Sequence, residues 1–175
     1  MKSDIINIDS LGNGFAGAVE ETAKVAAYAQ LDEQETRYLK LITEEILSLL
    51  RSVTGEIKAN FGIENEGKSF QIHVSTTTTL DDFVRSDLLS SATSGKNEFA
   101  KGFFGAIRDM IDQAFTPEGN RGDNISSDEE ADLAGREFKD ADWDGYERSV
   151  LRHLADNVKI GIRGNRVEAI VYKKF

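Results

Sequence analysis

Residues 31–53 read LDEQETRYLKLITEEILSLLRSV, and this stretch, running on to Ile63, decides the fold. Apolar residues at Leu39, Ile42, Ile46, Leu49, Leu50 and Val53 recur at spacings of three and four, the pattern of a helix with one buried face. A second apolar edge carries Tyr38, Leu41 and Leu49, with Glu45 lying inside it. Glu44 falls instead with Arg37, Lys40, Ser48 and Arg51 on a polar face. Two adjacent glutamates are thereby separated, one solvated and one directed at apolar surroundings. Asp32 is placed to cap the helix, with Gln34 and Glu35 in its first turn. Thr54-Gly55 marks the end of the helix, glycine standing just past the last turn.

Working outward from the helix, residues 56–63 alternate Ile57, Ala59, Phe61 and Ile63, and residues 69–75 alternate Phe70, Ile72 and Val74. With residues 64–68 as a turn, these segments predict a hairpin with one apolar and one polar face. His73 falls on the polar face as a solvated strand residue. Upstream, residues 4–9 (DIINID) predict a short first strand, residues 10–14 a turn with two glycines, and residues 15–30 an alanine-rich helix carrying Phe15, Val19, Val25 and Tyr28.

Downstream, Thr79 is read as the cap of a short helix over 81–89, and residues 90–97 (SSATSGKN) as a flexible loop. Residues 98–115 predict a helix with a stripe of Phe99, Phe103, Ile107, Met110, Ile111 and Phe115. Gly102 and Gly105 weaken it by roughly 1 kcal/mol each relative to alanine, which points to close packing. Residues 116–145 hold the only proline and many acids and predict a long loop, with one helical turn near 128–138. A helix over 146–155 follows. The chain closes with two alternating segments joined by Gly164-Asn165, a strong hairpin signal. Arg163, Arg166, Lys173 and Lys174 flank that hairpin and read as a solvated edge that resists strand-to-strand aggregation. This order predicts an α+β two-layer sandwich, with helices packed on one face of a mixed, mostly antiparallel sheet.

At 175 residues one domain spanning 1–175 is expected, with the acidic loop as an insertion. The net charge of −10 argues against nonspecific nucleic-acid binding and against attraction to anionic membrane. The absence of cysteine excludes disulfides, thiolate metal sites and cysteine nucleophiles. There is neither a secretory apolar core nor an apolar run near the roughly 20 residues of a spanning helix, so a cytoplasmic protein is expected. His73 and His153 are too few for a histidine metal site, and no nucleophile elbow or P-loop appears.

A strand, two helices with an inward glutamate on the second, a hairpin, a loop-and-helix lid and a closing hairpin together resemble the GHKL ATPase fold. The nearest members in size are the small anti-sigma-factor serine kinases. In that family the second helix carries Glu-x-x-x-Asn, the glutamate handling a water or substrate proton and the asparagine holding Mg²⁺. The resemblance puts the glutamate at Glu45, as a catalytic base, and the asparagine at Leu49. A leucine cannot serve a hard cation that wants oxygen ligands. The family's Asp-x-Gly-x-Gly, which contacts adenine, falls on residues 74–80 (VSTTTTL), with Thr76 for the aspartate and Thr78 for the first glycine. Its glycine-rich lid corresponds to Ser94, Gly95 and Lys96 leading into the helix with Gly102 and Gly105, where backbone amides and Lys96 would hold phosphate.

The resemblance implies a GHKL-like regulatory or protein-binding module without ATP turnover, in the manner of an anti-sigma factor or an inactive sensor-kinase ATPase domain. Its alternative is an ATP-binding enzyme with a divergent pocket. A separate signal is Asp140-Ala-Asp-Trp-Asp-Gly145, the first half of a calcium loop: Asp140, Asp142 and Asp144 stand at positions 1, 3 and 5. Its second half departs from the pattern, with Glu147 at position 8 and Leu151 at position 12. The plainer alternative is an acidic turn with Asp144 near a helix start. Trp143 within it reads either as a partner anchor or as a side chain docked on the core.

Overall fold

A computed structural model describes residues 1–9, 13–54, 58–98 and 150–175. The expected helix from residue 99 onward with Gly102 and Gly105, the acidic loop with Asp140, Asp142, Asp144 and Trp143, and residues 146–149 of the last helix lie outside them. The described chain runs β1 (Ile6–Ile8), α1 (Phe15–Tyr28), α2 (Glu33–Thr54), β2 (Ala59–Glu66), β3 (Ser69–Thr77), α3 (Asp82–Ser91), β4 (Asn157–Arg163) and β5 (Arg166–Lys174). Residues 150–154 are helical ahead of β4. The five strands form one sheet in the order β1-β2-β3-β5-β4, and every pairing is antiparallel. The expectation of a mixed sheet is corrected: two hairpins dock side by side, and β1 joins the edge of the first in the antiparallel sense.

The register sorts the side chains into two faces. Ile6 stands opposite Phe61, Phe61 opposite Val74, Val74 opposite Ala169 and Ala169 opposite Ile160. Directly paired residues share a face of a sheet. The core cluster takes its strand residues from this face alone, including Ile8, Phe61, Ile63, Ile72, Val74, Ile160 and Val171, and joins them to residues of the helices. The described helices therefore cover one face, as α+β layering requires.

Helix α2 is fixed at its start by a reciprocal capping box. Asp32 Oδ1 accepts from the Glu35 amide at 2.8 Å, and Glu35 Oε2 accepts from the Asp32 amide at 2.9 Å. Lys68 in the β2–β3 turn also reaches Glu35 Oε1 at 2.7 Å, tying the helix start to the hairpin tip. The buried face of α2 is wider than its apolar stripe. Leu39, Ile42, Ile46, Leu49 and Leu50 are buried as expected, but so are Thr43 and Leu47, while Tyr38 and Leu41 are exposed. The cause is that α2 packs against both α1 and α3 as well as the core. The contact with α1 is close, through Ala18, Val25 and Ala26, and the buried hydroxyls of Thr22 and Thr43 meet at 3.0 Å.

Three boundaries move for local reasons. The first hairpin turn is only Gly67-Lys68, because the ladder continues to Glu66 opposite Ser69, and Gly67 supplies the positive φ of 58° that so tight a turn needs. The cap of α3 is Asp81, whose Oδ1 accepts from the Val84 amide at 2.7 Å, rather than Thr79. β5 lies between β3 and β4, so Arg166, Lys173 and Lys174 do not form a sheet edge. Gly164-Asn165 does form the predicted two-residue turn of the second hairpin.

Candidate functional site

Two regions bear on function, on opposite faces of the sheet. On the helix side stand the positions drawn from the GHKL resemblance. Glu45 is half-buried and Glu44 exposed, so the separation of the two glutamates is real. Leu49, one turn later, is 4 % exposed and belongs to the core. Thr76 is buried at the end of β3, and its hydroxyl donates to the carbonyl of Lys58 at 2.8 Å. The Thr78 amide donates to the carbonyl of Asn165, tying the chain after β3 to the second hairpin turn.

The segment after α3 has a structural task that its composition hides. β4 is an edge strand, and edges expose unpaired backbone groups. Residues 93–98 cover this one. The Thr93 hydroxyl accepts from the Val158 amide at 2.8 Å, and the Glu98 amide donates to the Ile160 carbonyl at 3.0 Å. The Asn97 side chain imitates a neighbouring strand, its Nδ2 donating to the Ile162 carbonyl and its Oδ1 accepting from the Ile162 amide, both at 2.9 Å. The expected flexible loop is thus a strap. Within it Ser94 Oγ donates to buried Glu98 at 2.8 Å, the Gly95 amide donates to Ala92, and the Lys96 amide donates to Ser94 Oγ. The Gly95 and Lys96 amides are engaged inside the turn and Lys96 is exposed, while the amides of the following helix start, assigned to phosphate, lie outside the described residues. Removing the Asn97 side chain leaves both Ile162 groups without these partners. Asn97→Ala is therefore expected to cost about 1–3 kcal/mol in chemical denaturation and to speed hydrogen exchange at the Ile162 amide. Unchanged exchange there would show that the strap does not hold the edge.

The face opposite the described helices is polar yet buried at its centre. His73, expected to be solvated, is 7 % exposed. It stands between Gly62 and Ile170 in register, with Nε2 3.4 Å from Glu64 Oε1. Burial pushes its imidazole below the ordinary 6.5, against the pull of Glu64. Tyr172 is pushed up to about 12 by burial and by the charge of Glu64. Glu168 is the least expected member. It is 3 % exposed; Oε1 lies 2.7 Å from Arg166 Nε in an ion pair, while buried Oε2 takes no hydrogen bond. Burial pushes its carboxyl above 4.5, and the neighbouring Arg166 only partly offsets this. Strand alternation could have placed Glu168 on this face, but not its burial there.

No protein-family profile matches the chain, and neither does any curated protein. Function is therefore read from geometry. Among the described residues no group of three or more His, Asp or Glu is placed to hold a metal ion, and no helix is long and apolar enough to cross a membrane.

A carboxyl whose pKa is raised on folding contributes stability that is complete below its unfolded value of about 4.5 and is lost as pH rises through the folded value. Glu168→Gln is expected to remove that loss, so that the variant gains on the parent as pH rises above about 4.5. Melting curves of parent and variant at a series of pH values from about 4.5 upward check this, and a difference between them that does not change with pH would refute it. His73 gives the opposite slope. Its contribution is complete above about 6.5 and is lost as pH falls through the lowered folded value.

Proposed function

We propose that this chain is a GHKL ATPase-like regulatory module that acts by binding a protein partner, without ATP turnover. The supporting features are the element order, the five-stranded antiparallel sheet with helices on one face, and the half-buried glutamate on α2. The observation that carries the reading is Leu49. At the position corresponding to the family's Mg²⁺ ligand stands a side chain that is part of the hydrophobic core. The hydroxyl of Thr76 and the amides of Gly95 and Lys96 add to this, since each already has a partner within the chain.

Thermal melting with and without millimolar Mg-ATP tests the reading, because a ligand that binds only the native state raises the melting temperature. The expected result is no rise that depends on Glu45. A saturable rise abolished by Glu45→Gln would favour the alternative, an ATP-binding enzyme with a divergent pocket in which Glu45 is the base. Parallel melts with Ca²⁺ and with EGTA examine Asp140, Asp142 and Asp144 by the same logic.

A further inference from the structure

The face opposite the described helices holds a set of polar side chains that, Glu168 apart, no hydrogen bond among the described residues uses. Asn7 on β1, Asn60 on β2, Ser75 on β3 and Glu168 on β5 form one cross-strand row, each directly opposite the next. At the β1 side of this row lies a cavity of about 520 Å³ lined, among the described residues, by the cations Lys58 and Arg166, by Asn7, Asn60, Ser75 and Thr77, and also by the carboxylate Asp9 and by Thr76. That volume lies within the usual range of small-molecule sites, roughly 300–1,000 Å³. Among the described residues, the side chains of Asn7, Asn60, Ser75 and Thr77 take no hydrogen bond, and the ammonium of Lys58 has no anionic partner. The hydroxyl of Thr76, which also lines this cavity, is engaged by the Lys58 carbonyl, as are Ser94 and Asn97 in the strap along β4.

Arg166 links the row to the cavity. Its closest approach to Glu168 is through Nε, and the guanidinium has no other partner among the described residues. A guanidinium held by one edge keeps its remaining donors in a fixed fork, the geometry that receives a carboxylate or phosphate. The carboxylate that holds it is buried and has one oxygen unpartnered, an arrangement that costs stability and that packing alone does not require.

We propose that this cavity is a binding site for a small oxyanion-bearing compound, its phosphate or carboxylate taken by Arg166 and Lys58 and its hydroxyl or amine groups by the Asn7–Asn60–Ser75 row. The site shares Thr76 with the nucleotide reading, but its oxyanion-binding side chains stand on the face of the sheet opposite Glu45 and Leu49.

The test titrates the full-length ¹⁵N-labelled protein with inorganic phosphate and, separately, with citrate, at constant ionic strength set by chloride. The expected result is saturable amide shifts centred on Asn60, Ser75, Thr77 and Arg166. The stronger of the two probes identifies phosphate or carboxylate as the preferred group. Arg166→Gln is expected to weaken binding by about tenfold or more, the loss of a charge-assisted pair. Lys58→Gln, an exposed change that leaves the Glu168 pair intact, weakens it several-fold, and Glu45→Gln leaves it unchanged. Absence of saturable shifts with both probes overturns the proposal, as does parental affinity in both the Arg166 and Lys58 variants. A rise in melting temperature with Mg-ATP that Arg166→Gln removes and Glu45→Gln does not belongs to this cavity; the reverse pattern belongs to the helix side.

Discussion

Leu49→Asn is expected to destabilise the protein by about 3–5 kcal/mol, and not to equip it for Mg²⁺. The change would restore the residue that the GHKL motif carries four positions after its glutamate. Leu49 is 4 % exposed and packed in the core on α2. Its burial is worth about 1.5–3 kcal/mol by transfer alone. An amide in its place brings groups that need hydrogen bonds into an apolar surround, adding about 1–3 kcal/mol where none are supplied. The measurement is chemical denaturation of parent and variant, followed by melting of the variant with Mg²⁺ and ATP. A variant as stable as the parent, or one stabilised by Mg-ATP, would show that the site keeps room and oxygen partners for a cation, and would overturn the core assignment of Leu49.

Gly14→Ala is the second large effect. Gly14 precedes α1 with φ at +89°, in the left-handed region, and its carbonyl accepts from the Ala18 amide to start the helix. A Cβ placed there would lie 2.2 Å from the carbonyl oxygen of Asn7 and 3.2 Å from Cα of Ile8. The neighbour is strand backbone, so it cannot rotate away as a side chain would. Left-handed backbone costs an L-residue about 1–2 kcal/mol, and relieving the contact requires β1 and the start of α1 to separate. A loss above about 2 kcal/mol is expected, with exchange protection falling first along β1 and at its partners Ala59–Phe61. Substitution of Gly67 by alanine provides the comparison: its φ is also positive, but no atom lies within 4 Å of the added carbon. Equal losses at the two glycines would show that backbone conformation, not the approach to Asn7, sets the cost.

The elements were legible because each has a local cause. The spacing of Leu39, Ile42, Ile46 and Leu50 predicts α2, the alternation in residues 69–75 predicts β3, and Gly164-Asn165 predicts the second hairpin turn. What lay beyond the sequence was partnership. Leu47 and Thr43 are buried because α1 and α3 flank α2, a fact about other segments. The loop-like composition of residues 90–97 says nothing of an edge strand some 60 residues later that its backbone and side chains complete. The same holds for the polar face. His73 and Glu168 are an ordinary outward histidine and glutamate until the pairing of β3 with β5 sets them on neighbouring rows. Of the candidate site, then, the sequence shows the glutamate of α2 and the conflict at Leu49, while the row of unspent side chains appears only once the strands are in register.

The central ladder of the sheet has a kinetic consequence. β3 pairs with β5 from Ser69 opposite Lys174 to Thr77 opposite Arg166, so its partners lie roughly 90 to 105 residues apart along the chain. The two hairpins on either side of it are local and close quickly, but neither can complete the sheet alone. Until β5 arrives, the first hairpin displays the open edge of β3, and the helices above it have only half a sheet to cover. Contacts of such long sequence separation make for slow folding. On a ribosome, the first 98 residues would wait for the last strand with that edge unpaired, which makes the interval between their synthesis and that of β5 the time at which this chain is most exposed to misassembly.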